Sequence, residues 1–187
     1  MKRFFIIFVI TLLAAASYAT DSTWTFAGVR ADFKPGPVVK VTTGRAMPLG
    51  NNIWFIPSAE LGAVDTSLGT TGSRTGALNA DFSWCPISGN LGAVHILLGG
   101  DADWVEISKT ANVASYASAA VGAIGVLNLH AVIHPRTGPI GWFTDRFSVW
   151  AAWKYTANIS DLLAKTDSRF PAGNRIGLGL AWKGSLF

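Results

Sequence analysis

The sequence predicts an all-β fold, a closed antiparallel up-and-down barrel of eight strands crossing a membrane, and three observations carry that expectation. Half of the 187 residues are hydrophobic and only 14% are charged, against about 25% charged in an average soluble domain. After residue 19 no stretch reads as a helical span, which needs about twenty apolar residues. Apolar residues recur instead at every second position, in segments bounded by Gly, Pro, Asn and Asp. A chain this apolar without spanning helices has one other way to close its backbone hydrogen bonds in lipid, and that is a barrel.

The first element is a leader. In Met1–Ala19, Lys2 and Arg3 precede an uncharged run from Phe4 to Ala16, and Ser17-Tyr18-Ala19 supplies the small residues of a cleavage site. The run is too short for a spanning helix, so residues 1–19 read as a signal peptide and 20–187 as one barrel domain. Lys2 and Arg3 account for half of the formal net charge of +4. The remaining excess is scattered, whereas nucleic-acid binders cluster their positive charge, so no nucleic-acid partner is expected. Cys85 is the single cysteine, which excludes an internal disulfide and, lying far from the leader, a lipoprotein anchor.

Eight candidate strands follow at 24–33, 38–45, 53–66, 76–86, 91–104, 114–133, 142–157 and 175–186, and closed bacterial barrels use even counts. In the first, Ala27, Val29, Ala31 and Phe33 alternate with Arg30 and Asp32. The third sets Phe55, Ala59, Leu61 and Ala63 against Ser58, Glu60 and Gly62, and Pro57 weakens it. The fourth sets Leu78, Ala80, Phe82 and Trp84 against Asn79, Asp81 and Ser83. The sixth runs Ala117, Ala119, Val121, Ala123, Gly125, Leu127, Leu129 against Ser118, Gly122, Asn128 and His130. The seventh opposes Phe147, Val149, Ala151, Trp153 and Tyr155 to Arg146, Ser148, Lys154 and Thr156, and the eighth Ile176, Leu178, Leu180 and Trp182 to Arg175, Gly177, Gly179 and Lys183.

The connections alternate in length. Gly44 to Asn52, Pro86 to Asn90 and His134 to Gly141 are short or middling, while Asp65 to Thr75 and Ala157 to Asn174 are longer, an asymmetry of outer-membrane barrels. Lys34 to Pro37 breaks it, being short on the long-loop side. This threading places Trp24, Trp54, Trp84 and Trp142 at one set of strand ends and Phe33, Trp104, Tyr116, Trp153 and Tyr155 at the other. Two aromatic girdles are therefore expected at the lipid–water boundaries; Trp150 fits neither. A soluble lipocalin-like barrel would place the same apolar faces inward. Against it, the polar phase consists mainly of Gly, Ala, Ser, Thr and Asn, which suit a narrow interior better than a solvated surface.

With leader, alternating strands and a final segment Ile176-Gly-Leu-Gly-Leu-Ala-Trp-Lys-Gly-Ser-Leu-Phe187, the chain resembles the small eight-stranded bacterial outer-membrane barrels. The resemblance implies an outer-membrane location, lipid as surrounding partner, and recognition of the C-terminal strand by the barrel-insertion machinery. Phe187 is out of phase with Ile176 to Trp182, so that terminal signal is imperfect. An extracellular partner is not identified by any motif.

Chemistry is sparse. Lipid A deacylases of this fold class carry a His-x-Ser element, whereas His130 precedes Ala131-Val132 and His134 precedes Pro135-Arg136; no enzyme is expected. His130 and His134 are too far apart along a strand for one metal, and Asp101 and Asp103 read as a solvated loop end, since hard cations need six or more oxygens. The glycines form no phosphate-binding fingerprint, and no cofactor is expected. Arg30, Glu60, Asp81, His95 and Arg146 fall near mid-strand in the polar phases, and charges sharing a narrow lumen must pair. They are expected to plug it, with Glu60 and Asp81 meeting Arg30 and Arg146. The functional expectation is a structural or surface-interaction barrel with a side-chain-plugged lumen. The alternative is a narrow pore for small solutes, which would require those charges to part.

Overall fold

The computed structural model describes residues 23–33, 38–63, 74–107, 112–133, 138–159 and 173–183. The leader, the segments 64–73 and 160–172, His134 and Phe187 lie outside the described residues. Eight strands form one closed barrel in sequence order: β1 Trp24–Asp32, β2 Val38–Gly50, β3 Ile53–Ala63, β4 Arg74–Gly89, β5 Gly92–Ile107, β6 Asn112–Asn128, β7 Phe147–Asn158 and β8 Gly173–Lys183. Every neighbouring pair is antiparallel, and β8 closes on β1 with Gly28 opposite Gly179. Trp24 and Lys183 lie at the end we call lower, Asp32 and Arg175 at the upper. No helix among the described residues is long and apolar enough to cross a membrane.

Local sequence sets the lower turns. Asn51 and Asn52 take φ of 50° and 62° between β2 and β3, the left-handed pair that a type I′ hairpin turn requires and that Asn tolerates. The β4–β5 ladder shifts register between Trp84 and Ile87, where Pro86 has no N–H to donate and is accommodated by a bulge. Pro57 does not end β3. It keeps its place opposite Ala80 of β4, while the β2 ladder lacks pairs between Gly44↔Ser58 and Met47↔Phe55.

The third lower connection departs from the expected strands 114–133 and 142–157. β6 stops at Asn128, and two helices intervene, α1 Leu129–Ile133 and α2 Gly138–Arg146. Asn128 Oδ1 accepts the His130 N–H at 3.1 Å, a cap that starts α1. Gly138 at φ 87° followed by Pro139 starts α2, Pro being favoured in a first helical turn, where its missing N–H costs nothing. His130, read from the sequence as a lumen residue, is instead exposed on α1 and paired with Asp145 of α2.

Alternation resolves into two faces. Phe82, Leu98, Val121, Trp153 and Leu178 point outward and are exposed, Leu98 by 70%, whereas Thr42, Glu60, Asp101, Asp103 and Lys154 point inward and are buried. The arrangement inverts a soluble protein: apolar outside, charged inside. A hydrocarbon solvent around the wall accounts for it.

Candidate functional site: the barrel lumen

The lumen has two halves. The upper half is filled by charge. Arg30 Nη1 donates to Glu60 Oε1, and Asn79 Nδ2 donates to the same oxygen at 2.7 Å. Lys40 Nζ lies 2.7 Å from Asp32 Oδ2 and 3.9 Å from Glu60 Oε2. Lys154 Nζ donates to Asp81 Oδ2 at 2.9 Å and to Asp101 Oδ1 at 2.6 Å. Arg175 spreads its fork over Asp101 Oδ2 and Asp103 Oδ1, both at 3.0 Å, with Asp32 Oδ1 at 3.5 Å. Five carboxylates and four cations thus interlock from every strand but β6. Glu60 and Lys154 are 0% and 1% exposed as side chains, so their charges are balanced by Arg30 and by Asp81 and Asp101 respectively, and not by water.

Glycine makes the room. Arg30 faces Gly177, Lys40 faces Gly62, Asp81 faces Gly99 and Lys154 faces Gly122 on the adjoining strand. A Cβ at Gly62 would stand 2.9 Å from Lys40 Cγ, too close for the lysine stem to stay where it is. Below this layer the indole of Trp150 on β7 lies over β8 and reaches β1, 3% exposed, its Nε1 donating to Ala27 O at 3.2 Å. The indole lies on a floor of glycines, since a Cβ at Gly28, Gly177 or Gly179 would approach its ring atoms to 2.7–2.9 Å.

The lower half is hollow. A cavity of about 270 Å³ lies between Trp150 and the lower turns, walled by Trp24, Phe26, Trp54, Ile56, Ile124 and Val126. Phe26 meets Trp150 edge-on at 5.6 Å between centroids, and Trp54 meets His95 likewise at 5.9 Å. His95 also lines it, its Nδ1 3.2 Å from Ser83 Oγ. Asn52, Ser88, Gly92 and Asn128 line the cavity where it meets the lower turns.

The lumen residues expected from the sequence divide accordingly. Arg30 and Glu60 meet directly, Asp81 takes Lys154 as its cation, and His95 lies in the hollow half, away from the ion pairs. Arg146 is not in the lumen. It ends α2, exposed, bonding Trp142 O at 3.4 Å and lying 4.8 Å above the Trp142 ring. The cause is the helix that Gly138-Pro139 starts, which carries residues 142–146 off the barrel wall. Asp101 and Asp103, read as a solvated loop end, are buried ion-pair members. Asp32, Lys40, Lys154 and Arg175 complete the network, and sequence reasoning did not join them to it. Parity held the clue, because Asp101 and Asp103 share the phase of His95 and Lys154 that of Ser148.

The aromatic residues divide too. Trp84, Trp153 and Tyr155 are exposed on the outward face, Trp153 Nε1 donating to Asn174 Oδ1 at 3.1 Å. Trp142 is exposed on α2, next to Phe143, which stacks on Phe147 at 4.7 Å, and Phe147 contacts Trp182 at the lower rim. Trp24 and Trp54 turn inward and line the cavity, against the girdle position expected of them. They share the inward phase of Phe26 and Ile56. Of Trp104 only the backbone, in β5, is described.

No protein-family model and no curated protein matches the sequence. Solved structures do match. The neisserial surface protein NspA superposes with a TM-score of 0.54 at 9% identity, covering 86% of this chain and 95% of that one. The N-terminal β-barrel domain of Pseudomonas aeruginosa OprF gives 0.50 at 12% identity over 88% and 98%. The Yersinia pestis outer membrane protein Ail, in a phospholipid bilayer nanodisc, gives 0.50 at 13% identity over 86% and 97%. At such identities the likeness is one of fold. By fold, then, the chain is a closed eight-stranded antiparallel β-barrel, similar to those of these small outer-membrane proteins.

Proposed function

We propose that the protein is a resident of the bacterial outer membrane whose lumen stays closed, and that it works through envelope integrity or through segments displayed at its upper end, without catalysing a reaction. The observation that carries this reading is the ionic network of the upper lumen. Every charge in it has an opposite partner within 4 Å. Parting such pairs in a narrow space strands buried charge, at a cost of about 3–5 kcal/mol per broken pair. An eight-stranded barrel is also only wide enough for side chains or one small ligand.

In this reading the lower end of the barrel faces the periplasm, and the upper ends of β3, β4, β7 and β8 face outward. The sequences that join β3 to β4 and β7 to β8 are the candidates for contact with a surface partner. Trp84, Trp142, Trp153 and Tyr155 serve as lipid–water anchors. The lower rim supports that role for Trp142, because α2 leaves Ile140, Trp142 and Phe143 exposed around an aromatic cluster shared with the wall, with Arg146 available to a headgroup. The C-terminal strand is the segment offered to the insertion machinery.

Vesicle swelling tests the reading. Vesicles carrying the folded protein should swell in isotonic glycerol or arabinose no faster than protein-free vesicles. Swelling that slows with solute size would support the narrow pore instead.

A further inference from the structure

The charged plug accounts for the upper lumen and leaves the lower cavity without a role. A closed-lumen scaffold needs no such space: Leu or Met at Ala46, Ala93, Ser148 or Ala181, all of which line it, would fill it and add apolar contact. We infer that this cup is a binding site, open to the periplasm, for a small neutral aromatic molecule of one or two fused rings. The inference goes beyond the structural role and rests on it in two respects, that the lower end faces the periplasm and that the charge layer above Trp150 makes the cup a dead end.

Three observations define the ligand. Size comes first: a cavity of about 150 Å³ takes benzene, so about 270 Å³ takes a fused ring system, while most drug-sized ligands occupy about 300 Å³ or more. The walls come second. Trp24, Phe26, Trp54 and Trp150 line the space, and Phe26–Trp150 and Trp54–His95 already meet edge to face, so a ring entering among them meets faces and edges suited to stacked or T-shaped contact. The polar groups come third. His95 lines the cup with Ser83 3.2 Å behind it, and away from the mouth the other uncharged polar groups of a mainly apolar lining are Ser58, Cys85 and Ser148. So sparse a polar lining suits a single N–H or O–H. A charged group is disfavoured, because the floor carries Arg30 and Asp81, each already engaged by an opposite partner.

The mouth fits entry from below. Asn52, Ser88 and Asn128 line the cavity at the lower turns, and Asn128 Nδ2 donates across to Asn90 O at 3.3 Å. A ligand arriving from the periplasm would pass this polar rim and leave water behind as it reached Ile56, Ile124 and Trp150.

The isoleucines supply a readout that separates the cup from the bilayer, into which aromatic molecules also partition. Ile56 and Ile124 line the cavity, whereas Ile96 and Ile176 are exposed on the outer face. Folded full-length barrel, taken from membranes of cells supplied with methyl-labelled isoleucine and placed in nanodiscs, would be titrated with indole. The expected result is a saturating shift of the Ile56 and Ile124 methyl signals, while those of Ile96 and Ile176 move only in proportion to added indole. Ser148→Leu and, independently, Ala181→Leu should weaken the saturating phase at least tenfold, so the conclusion does not depend on one variant folding. If all four methyls respond proportionally, indole meets only lipid and the site is refuted. If octanoate saturates Ile56 and Ile124 at lower concentration than indole, the cup prefers a chain and the aromatic assignment is wrong. Steady conductance by the same preparation would overturn the dead end, and with it the closed-lumen reading, whatever indole does.

Discussion

Lys154 is the lumen cation whose removal has the most readily computed effect. Its ammonium sits 2.9 Å from Asp81 Oδ2 and 2.6 Å from Asp101 Oδ1, and its side chain is 1% exposed. Lys154→Met keeps the length and apolar stem but removes the charge. Asp101 would retain Arg175 at 3.0 Å, whereas Asp81 has no other cation partner among the described residues. Most of the cost should therefore fall on Asp81, and stranding one buried charge costs about 3–5 kcal/mol. Asp81→Asn alone leaves Lys154 bonded to Asp101 and should cost about 1.5–3 kcal/mol, the worth of a hydrogen bond to a charged group. In the double variant Asp81 no longer carries an orphaned charge, so its total should fall below the sum of the singles by about 1.5–3 kcal/mol. Urea titrations of folding into short-chain phosphatidylcholine vesicles, followed by tryptophan fluorescence and heat-dependent gel mobility, measure all three. If Lys154→Met costs under about 1 kcal/mol, or if the singles add, the ammonium is solvated and the reasoning about a dry charge layer fails.

Other positions test the remaining layers of the account. Val121 faces outward from β6 and is exposed, so Val121→Arg should cost about 2–4 kcal/mol near mid-membrane while Val121→Leu changes little; equal effects would place that face elsewhere than in lipid. Gly179→Ala would put a Cβ 2.1 Å from Ala27 O and 2.8 Å from Trp150 Nε1, so it should push β8 and the indole away from β1 and cost about 1–3 kcal/mol, seen as a lowered urea midpoint. Intact mass of the protein isolated from envelopes should match a chain beginning at Thr20, since Ser17 and Ala19 flank the cut; a mass retaining Met1 would make the leader an anchor.

The fold was legible because its solvent is apolar. A strand with one face in lipid must alternate strictly, and the outward sets, such as Val149, Ala151, Trp153 and Tyr155 in β7 or Ile176, Leu178 and Leu180 in β8, stand as the sequence pattern places them. Alternation could not reveal the helices α1 and α2, because a Trp-Phe-Thr-Asp-Arg-Phe stretch alternates as plausibly as it winds, and Gly138-Pro139 was the only local mark of a helix start. Arg146 was misplaced for that reason. The aromatics at the lower strand ends were misplaced by their height and not by their parity, since Trp24 shares the phase of Arg30 and Trp54 that of Glu60, and both point in. Charge pairing was legible only between near positions of matching phase. Arg30 and Glu60 met that condition, but the Lys154–Asp81 and Arg175–Asp103 contacts join β7 and β8 to β4 and β5 across the full lumen. Such contacts depend on barrel closure, which no local spacing encodes.

The central claim is that this lumen is closed by its own charges, and single-channel recording in planar bilayers tests it most directly. The folded barrel should give no steady conductance at ordinary voltages, and Lys154→Met should give brief openings that the parent lacks. Steady conductance by the parent, unchanged in Lys154→Met, would contradict the claim.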